Sequence, residues 1–385
     1  MGKIREFYLM HGNIEVAELL INDLDGRVLR VEKIINGDHL PLDVKRIVED
    51  ADLFLQRLNR WWRNRFIPAL RNGVEERVNM DQMNWPEQYI VKSRGFSLSD
   101  AYWIRKYDAN TMYEVINFHQ NAFSEEFGKF LMREGGSPWP YKSPDIATNG
   151  NLSKRWTVKG DGKRILLKGS TAPYHQEPIN EVVASRMMDL LDFEHVCYDM
   201  DGEYSVCEAF TSEKMEYLPA NQVGKFLKKT KEVSYYEHYI ACCEWLGIEN
   251  AREQIEKMLV IDYIIANSDR HYGNFGVVRN AETLSDYRIA PIFDNGNSLF
   301  YRFLNEQIPV FVRSVMARPF SYYHNEQLQL VKNIEWFDFG KKEELLEIMR
   351  STLKNSQWKM TDTERPDLIV NAVSTRMDDL KQRFF

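Results

Sequence analysis

The sequence predicts an α+β protein in which a small β-rich lobe is followed by a larger helical lobe, with an N-terminal extension of short strands and then helices ahead of both. Three observations predict it. A stretch dense in Gly, Pro, Ser and Asn at residues 135–150 separates two blocks of different pattern. Strand signals separated by turn residues fill much of residues 155–209. Beyond residue 220, apolar residues recur mostly at helical spacing, interrupted by an irregular polar segment at 267–298. The resulting division is 1–140, 141–213 and 214–385.

In chain order, residues 8–36 alternate short apolar runs with the turn signals His11-Gly12-Asn13 and Asp23-Leu24-Asp25-Gly26, which predicts strands joined by tight turns. Residues 43–72 change to helical spacing, with Val44, Ile47, Val48, Ala51, Leu55, Leu58 and Trp62 on one stripe. Trp61 and Trp62 among arginines have two readings, a nucleic-acid stacking platform or core packing with snorkelling arginines, and the second is favoured. A second helix is expected over 111–133, carrying Val115, Ile116, Phe118, Phe123, Phe127 and Phe130. Residues 155–158 and 164–168 flank Lys159-Gly160-Asp161-Gly162-Lys163, a hairpin in which Gly supplies positive φ. Pro178 and Asn180 introduce a helix over 181–191 with Asn180 as its N-cap. Residues 196–198 and 204–209 make a second hairpin around Asp201-Gly202, and further helices are expected at 234–246, 250–266, 341–353 and 366–385.

Composition narrows the function. With 57 acidic and 50 basic side chains the 385-residue chain carries a formal charge of -7, so it has no dominant basic field for nucleic acid or an anionic membrane. Hydrophobic residues at 44% and charged residues of both signs at 28% exclude a disordered chain. The four cysteines, Cys197, Cys207, Cys242 and Cys243, include no C-x-x-C pair, and the histidines form no H-x-x-x-H cluster, so neither a disulfide framework nor a transition-metal site is expected. No segment reaches the roughly 18 apolar residues of a membrane span. The chain reads as soluble, non-secreted and cytoplasmic.

The chemistry concentrates in Asn267-Ser268-Asp269-Arg270-His271-Tyr272-Gly273-Asn274, followed by Phe293-Asp294-Asn295-Gly296. Phosphoryl transfer from a nucleotide needs a carboxylate beside the acceptor hydroxyl and oxygen ligands for Mg²⁺ on the phosphates. A D-x-x-x-x-N loop with a later Asp beside it provides both: Asp269 as base, Asn274 and Asp294 as metal ligands. Read alone, the same residues are also Asx turns. The upstream half favours the chemical reading. Lys168 ends an apolar strand and suits phosphate binding; Glu181, with Glu177 as rival, opens the next helix and would orient it. Glu208-Ala209-Phe210 follows a hairpin strand where backbone groups would meet adenine, and Thr148-Asn149-Gly150 precedes the first strand as a loop over the phosphates.

In order and spacing these residues resemble the HipA-like bacterial serine/threonine kinases, most specifically over residues 140–300 and loosely over the whole chain. Residues 269–274 look like the family's D-R-H-x-x-N loop, and Pro291-Ile292-Phe293-Asp294 resembles its P-x-F-D metal motif. The resemblance implies a bilobal kinase-like fold using ATP and Mg²⁺ on a protein substrate. It assigns Asp269 as base, Asn274 and Asp294 to metal, Lys168 to the phosphates and the Glu208 and Phe210 backbone to adenine. His271 either approaches the γ-phosphate or holds the loop, and Asp262 is expected to brace it from a buried position. Members of the family often act as toxins restrained by a DNA-binding antitoxin, so such a partner is implied too. The phosphate loop departs from the family's Ser-rich, Gly-Ala-Gln type; if the loop is autophosphorylated, Thr148 or Ser153 is the acceptor. A lipid or small-molecule kinase on the same scaffold and a nucleotide-binding pseudokinase are the alternatives.

Overall fold

Strands β1 (Ile4–His11) and β2 (Ile14–Asn22) fold back on each other at Gly12, which takes a φ of 55° that costs a side chain strain. They open a computed structural model that describes residues 4–66, 86–137, 142–148, 150–354 and 362–385. With β3 (Val28–Ile34) and β4 (Tyr102–Lys106) they form an antiparallel sheet in the order β3-β2-β1-β4. Numbering only helices longer than ten residues, α1 (Ala51–Arg63) packs on this sheet through Phe54, Leu58, Trp61 and Trp62, which share a core with Leu9, Leu19, Ile21 and Ile104. The Trp62 indole N–H donates to the Gly26 carbonyl at 3.1 Å, so the tryptophan pair is core and not an exposed stacking platform.

Two expected helices are shorter than their apolar spacing suggested. The stripe over 43–72 breaks because Asp50 caps α1, its carboxylate accepting from Leu53 N at 3.0 Å; the part beyond residue 66 lies outside the described residues. Residues 111–133 hold only a single turn at Tyr113–Val115 and a short helix at Glu126–Leu131. Between them, side chains take the backbone partners a helix would need: Asn117 Nδ2 donates to Tyr113 O, its Oδ1 accepts from Gln120 N at 2.9 Å, and Asn121 Nδ2 donates to Glu114 O at 2.7 Å.

The second sheet, in the order β5-β6-β8-β7, is built from β5 (Lys154–Val158), β6 (Arg164–Lys168), β7 (Tyr198–Asp201) and β8 (Tyr204–Glu208), all antiparallel. Its register sets Lys154 opposite Lys168. Helix α2 (Glu177–Leu190) packs beside it with Val182, Val183 and Met187 buried. α2 begins four residues earlier than the expected 181, with Pro178 in its first turn, so Asn180 is no N-cap. Its amide instead donates across to the carbonyls of Gly296 and Ser298 at 2.9 and 2.8 Å.

A third sheet, β11-β10-β9, joins β9 (Met215–Pro219), β10 (Gly276–Asn280) and β11 (Arg288–Ile289). Gly276 allows its close approach, since a Cβ there would lie 2.1 Å from Leu218 O. Helices α3 (Tyr235–Trp245), α4 (Ala251–Ile264), α5 (Lys342–Leu353) and α6 (Arg365–Phe384) complete the helical part, sharing one core with α2 through residues such as Ile255, Leu259, Met349 and Val373. The first sheet is fastened to the third. His11 Nε2 lies 3.0 Å from Glu216 on β9, Glu216 also receives Arg279 of β10, and Met10, Phe96, Trp103 and Phe118 pack with Ala281. Burial pushes the Glu216 carboxyl up, but His11 and Arg279 outweigh it and hold the group down at about 2.

Candidate active site

β6 carries Lys168 into the interior at its last residue, where an ammonium is tolerated only if paired. Its Nζ donates to Glu181 Oε1 at 2.6 Å, Asp294 Oδ1 at 2.7 Å and the Tyr198 hydroxyl at 3.1 Å. Burial opposes its charge, but Asp294 and Glu181 outweigh it and hold the ammonium well above its ordinary value. For Asp294 burial acts upward, and Lys168 followed by Lys154 pulls its carboxyl well below the ordinary range. Burial pushes Glu181 up against the pull of Lys168. Its second oxygen accepts from Asn295 N at 2.7 Å, tying α2 to the segment after Asp294. The rival Glu177 is spent elsewhere, on the backbone and hydroxyl of Thr171.

The loop after α4 is organised by Arg270, a fully buried side chain. Its guanidinium forks onto Asp262, Nε to Oδ2 and Nη2 to Oδ1, both at 2.9 Å. It also donates to Asn274 O at 2.9 Å, to Phe293 O, and to Asn295 Oδ1 at 2.5 Å. One cation thus holds the Asp269–Asn274 loop against the irregular segment that carries Asp294. Asp262 is the buried brace expected of it.

Asp269 is held at both ends. Its N–H donates to Asn267 Oδ1 at 3.0 Å, while its carboxylate accepts from Asn297 Nδ2 at 2.9 Å and Arg318 Nη1 at 3.2 Å. Asn274 spends its Nδ2 on Asp269 O at 3.1 Å, which leaves the amide oxygen for a hard cation. With the ionised Asp294, it makes an all-oxygen pair suited to Mg²⁺. His271 Nδ1 accepts from Gly273 N at 3.0 Å, which corresponds to the loop-holding reading of that residue.

The remaining expected residues line the β-rich side. Gly150 lies at φ +100, which favours glycine, and a Cβ there would meet Lys154 Nζ at 2.4 Å, so the lysine end would have to shift. Thr148 has its hydroxyl between Pro144 O and the Trp156 indole, both at 2.9 Å. Asn149 lies outside the described residues. Glu208 points its exposed carboxylate to Lys163 at 2.8 Å, and Phe210 packs tilted against Phe293 and edge-to-face with Tyr217, with centroids 5.2 and 5.5 Å apart. Lys168, Glu181 and Asp294 are therefore in contact and Asp269 and Asn274 are joined to them through Arg270, whereas the Thr148 hydroxyl bonds to Pro144 and Trp156 and the Glu208 carboxylate to Lys163.

No protein-family model and no curated sequence matches the chain. Among solved structures it is similar to a chain of the Shewanella oneidensis toxin–antitoxin complex of HipA, HipB and operator DNA, at 10% identity and a TM-score of 0.50, over 98% of this chain and 97% of that one. The chain has a HipA-like fold. It is also similar to the Helicobacter pylori proinflammatory kinase CtkA, at 14% identity and a TM-score of 0.43, over 58% of this chain and 90% of that one. Among the described residues of this HipA-like fold, no helix is long and apolar enough to cross a membrane.

Sequence reasoning missed Lys154, Tyr198, Asn297 and Arg318. Tyr198 and Lys154 approach Lys168 from β7 and β5 of the same sheet, and only the sheet register, Lys154 opposite Lys168, reveals the second lysine. Arg318 arrives from a turn nearly fifty residues beyond Asp269, and no local signal announces it.

Proposed function

We propose that the chain is an ATP- and Mg²⁺-dependent phosphotransferase of the HipA-like kind, acting on a serine or threonine hydroxyl of a protein. The observation that carries this reading is the buried contact of Lys168 with both Glu181 and Asp294, joined through Arg270 to the loop of Asp269 and Asn274. Two carboxylates sharing one buried lysine leave a net negative charge, a costly arrangement unless a further cation takes part in it. In this reading residues 141–213 hold the nucleotide, residues 214–385 carry the catalytic loop, and residues 1–140 are the extension docked on β9.

Each side chain then has one task. Lys168, oriented by Glu181, meets the nucleotide phosphates, with Gly150 and the flanking Thr148 and Asn149 forming the loop above them. The backbone of Glu208 and Phe210 faces adenine. Asn274 and Asp294 hold Mg²⁺, whose charge, when bound, neutralises the phosphates. Asp269, fixed by Asn267 and Asn297, aligns the acceptor hydroxyl and takes its proton, and His271 keeps the loop in shape. Arg318 lies against the Asp269 carboxylate, so an incoming hydroxyl has to share or displace that contact.

The experiment is γ-phosphate incorporation from labelled ATP into protein and lipid fractions, by wild type and Asp269→Asn. Label in protein that disappears in the variant supports the reading. Label in lipid favours a lipid kinase, and no consumption of Mg·ATP favours a pseudokinase. The Shewanella structure holds HipA with HipB and operator DNA. By extension, we propose a toxin role with a DNA-binding antitoxin partner for this chain, tested by growth arrest on induction that Asp269→Asn abolishes and that a co-expressed neighbouring DNA-binding protein relieves.

A further inference from the structure

His195 lies outside the catalytic cluster, in the turn between α2 and β7. Its Nδ1 is 2.7 Å from the carbonyl oxygen of Phe193. A carbonyl only accepts, so the ring proton belongs on Nδ1 and Nε2 carries a lone pair. That nitrogen lies 3.5 Å from Oδ1 of Asp189 on the last turn of α2. The Nε2 lone pair and the Asp189 carboxylate therefore face the same point, as two ligands of one cation do. Ser185 Oγ, which accepts from Tyr198 N, is 3.1 Å from Nε2 and offers it only a neutral hydroxyl proton. Cys197 completes the group: donor atoms of Asp189, His195 and Cys197 all fall within 4.8 Å of one another.

We infer that Asp189, His195 and Cys197 form a binding site for a divalent transition cation of the Zn²⁺ type. Sulfur, imidazole nitrogen and carboxylate oxygen are the donors such an ion takes tetrahedrally, at about 2.0–2.3 Å, which places donors roughly 3.3–3.8 Å apart. The Asp189–His195 pair already stands at that spacing, and the exposed side chains of Asp189 and Cys197 close the remainder by rotation. The imidazole that cannot rotate freely is the one already oriented, by its Nδ1–H bond to Phe193, the usual outer-sphere device of a metal histidine. A thiolate ligand separates this site from the all-oxygen pair Asn274 and Asp294, which suits a hard cation. Burial and the neighbouring Asp189 raise the Cys197 thiol, so without a metal it keeps its proton; binding passes that proton to solvent.

The site would staple the end of α2 to the start of β7. Glu181 sits on the same helix, Cys197 precedes Tyr198 of the lysine cluster, and Val196 N donates to Ile292 O at 2.9 Å, two residues before Asp294. The spacing, D-x₅-H-x-C, is none of those a scan for paired cysteines or paired histidines would find. The inference does not depend on phosphoryl transfer.

The test is titration of the full-length, chelator-treated protein with Co²⁺ in excess Mg²⁺. One equivalent should produce a thiolate-to-cobalt charge-transfer band and tetrahedral visible absorption, both removed by Zn²⁺. Cys197→Ser should abolish the band, and His195→Gln should weaken Co²⁺ at least about tenfold. Asp189→Asn, an exposed change, is the second variant, expected to weaken binding with its melting temperature in chelator unchanged. Cys207, Cys242 and Cys243 are buried and serve as internal controls. No band in wild type, or a band that survives in Cys197→Ser, overturns the inference.

Discussion

Replacing Asp262 with Asn tests whether Arg270 organises the site as a buried charge. Asp262 and Arg270 are both fully buried, and Asp262 accepts three guanidinium contacts and one from Asn267 Nδ2 at 3.0 Å. The amide keeps the shape but removes the countercharge and turns one acceptor into a donor aimed at a cation. Breaking one side of a buried pair costs about 3–5 kcal/mol. Unfolding entropy of about 2.1 cal/mol/K per residue amounts to about 0.8 kcal/mol/K for this chain, so the melting temperature should fall by about 4–6 °C if it unfolds as one unit. Because Arg270 also holds Asn274 O, Phe293 O and Asn295, kcat for phosphoryl transfer should fall further than KM rises, although Asp262 touches no substrate. Calorimetry with steady-state kinetics reads both. Asp262→Leu/Arg270→Met should recover part of the stability and none of the rate. A variant Asp262→Asn that melts within about 1 °C of wild type with unchanged kcat would refute the assignment of Arg270 as the organising charge.

Asp269→Asn should abolish transfer while leaving nucleotide affinity within about threefold, as measured by phosphate incorporation and equilibrium binding. Lys168→Met strands Glu181 and Asp294 beside each other, so it should lose nucleotide affinity and become more stable, relative to wild type, as pH falls and one carboxyl takes a proton; denaturant midpoints at two pH values check this. Gly150→Ala should weaken nucleotide binding through positive-φ strain and the clash with Lys154, with little change in melting temperature. Glu216, depressed to about 2 from 4.5, contributes stability that is present above pH 4.5 and lost as pH falls through 2, on the order of 3 kcal/mol; Glu216→Gln should flatten the stability profile across that window.

What the sequence made legible was chemistry written locally. Asp269 and Asn274 share one loop, Asp294 follows Phe293, and Lys168 ends a run of apolar strand residues, so their types and spacing could be read without a fold. Glu181 was preferred there to Glu177 but not separated from it by pattern, because residues four apart share a helix face; position along α2 decides, one turn setting Glu181 beside the lysine and Glu177 beside Thr171. Helix length over 111–133 was misread for a related reason, since Asn117 and Asn121 compete for backbone groups while the phenylalanines around them keep helical spacing. Arg318, Asn297 and Lys154 reach the site through tertiary contacts alone.

The ion triad of His11, Glu216 and Arg279 has a consequence for biosynthesis. His11 and Glu216 are 205 residues apart, so during synthesis β1 waits for its buried partner until those further 205 residues have been made. Until then Met10, Phe96, Trp103 and Phe118 lack Ala281 and present an apolar face. Such a nascent chain has a long interval in which a chaperone can engage it, and a fragment ending near residue 140 should aggregate more readily than the whole chain.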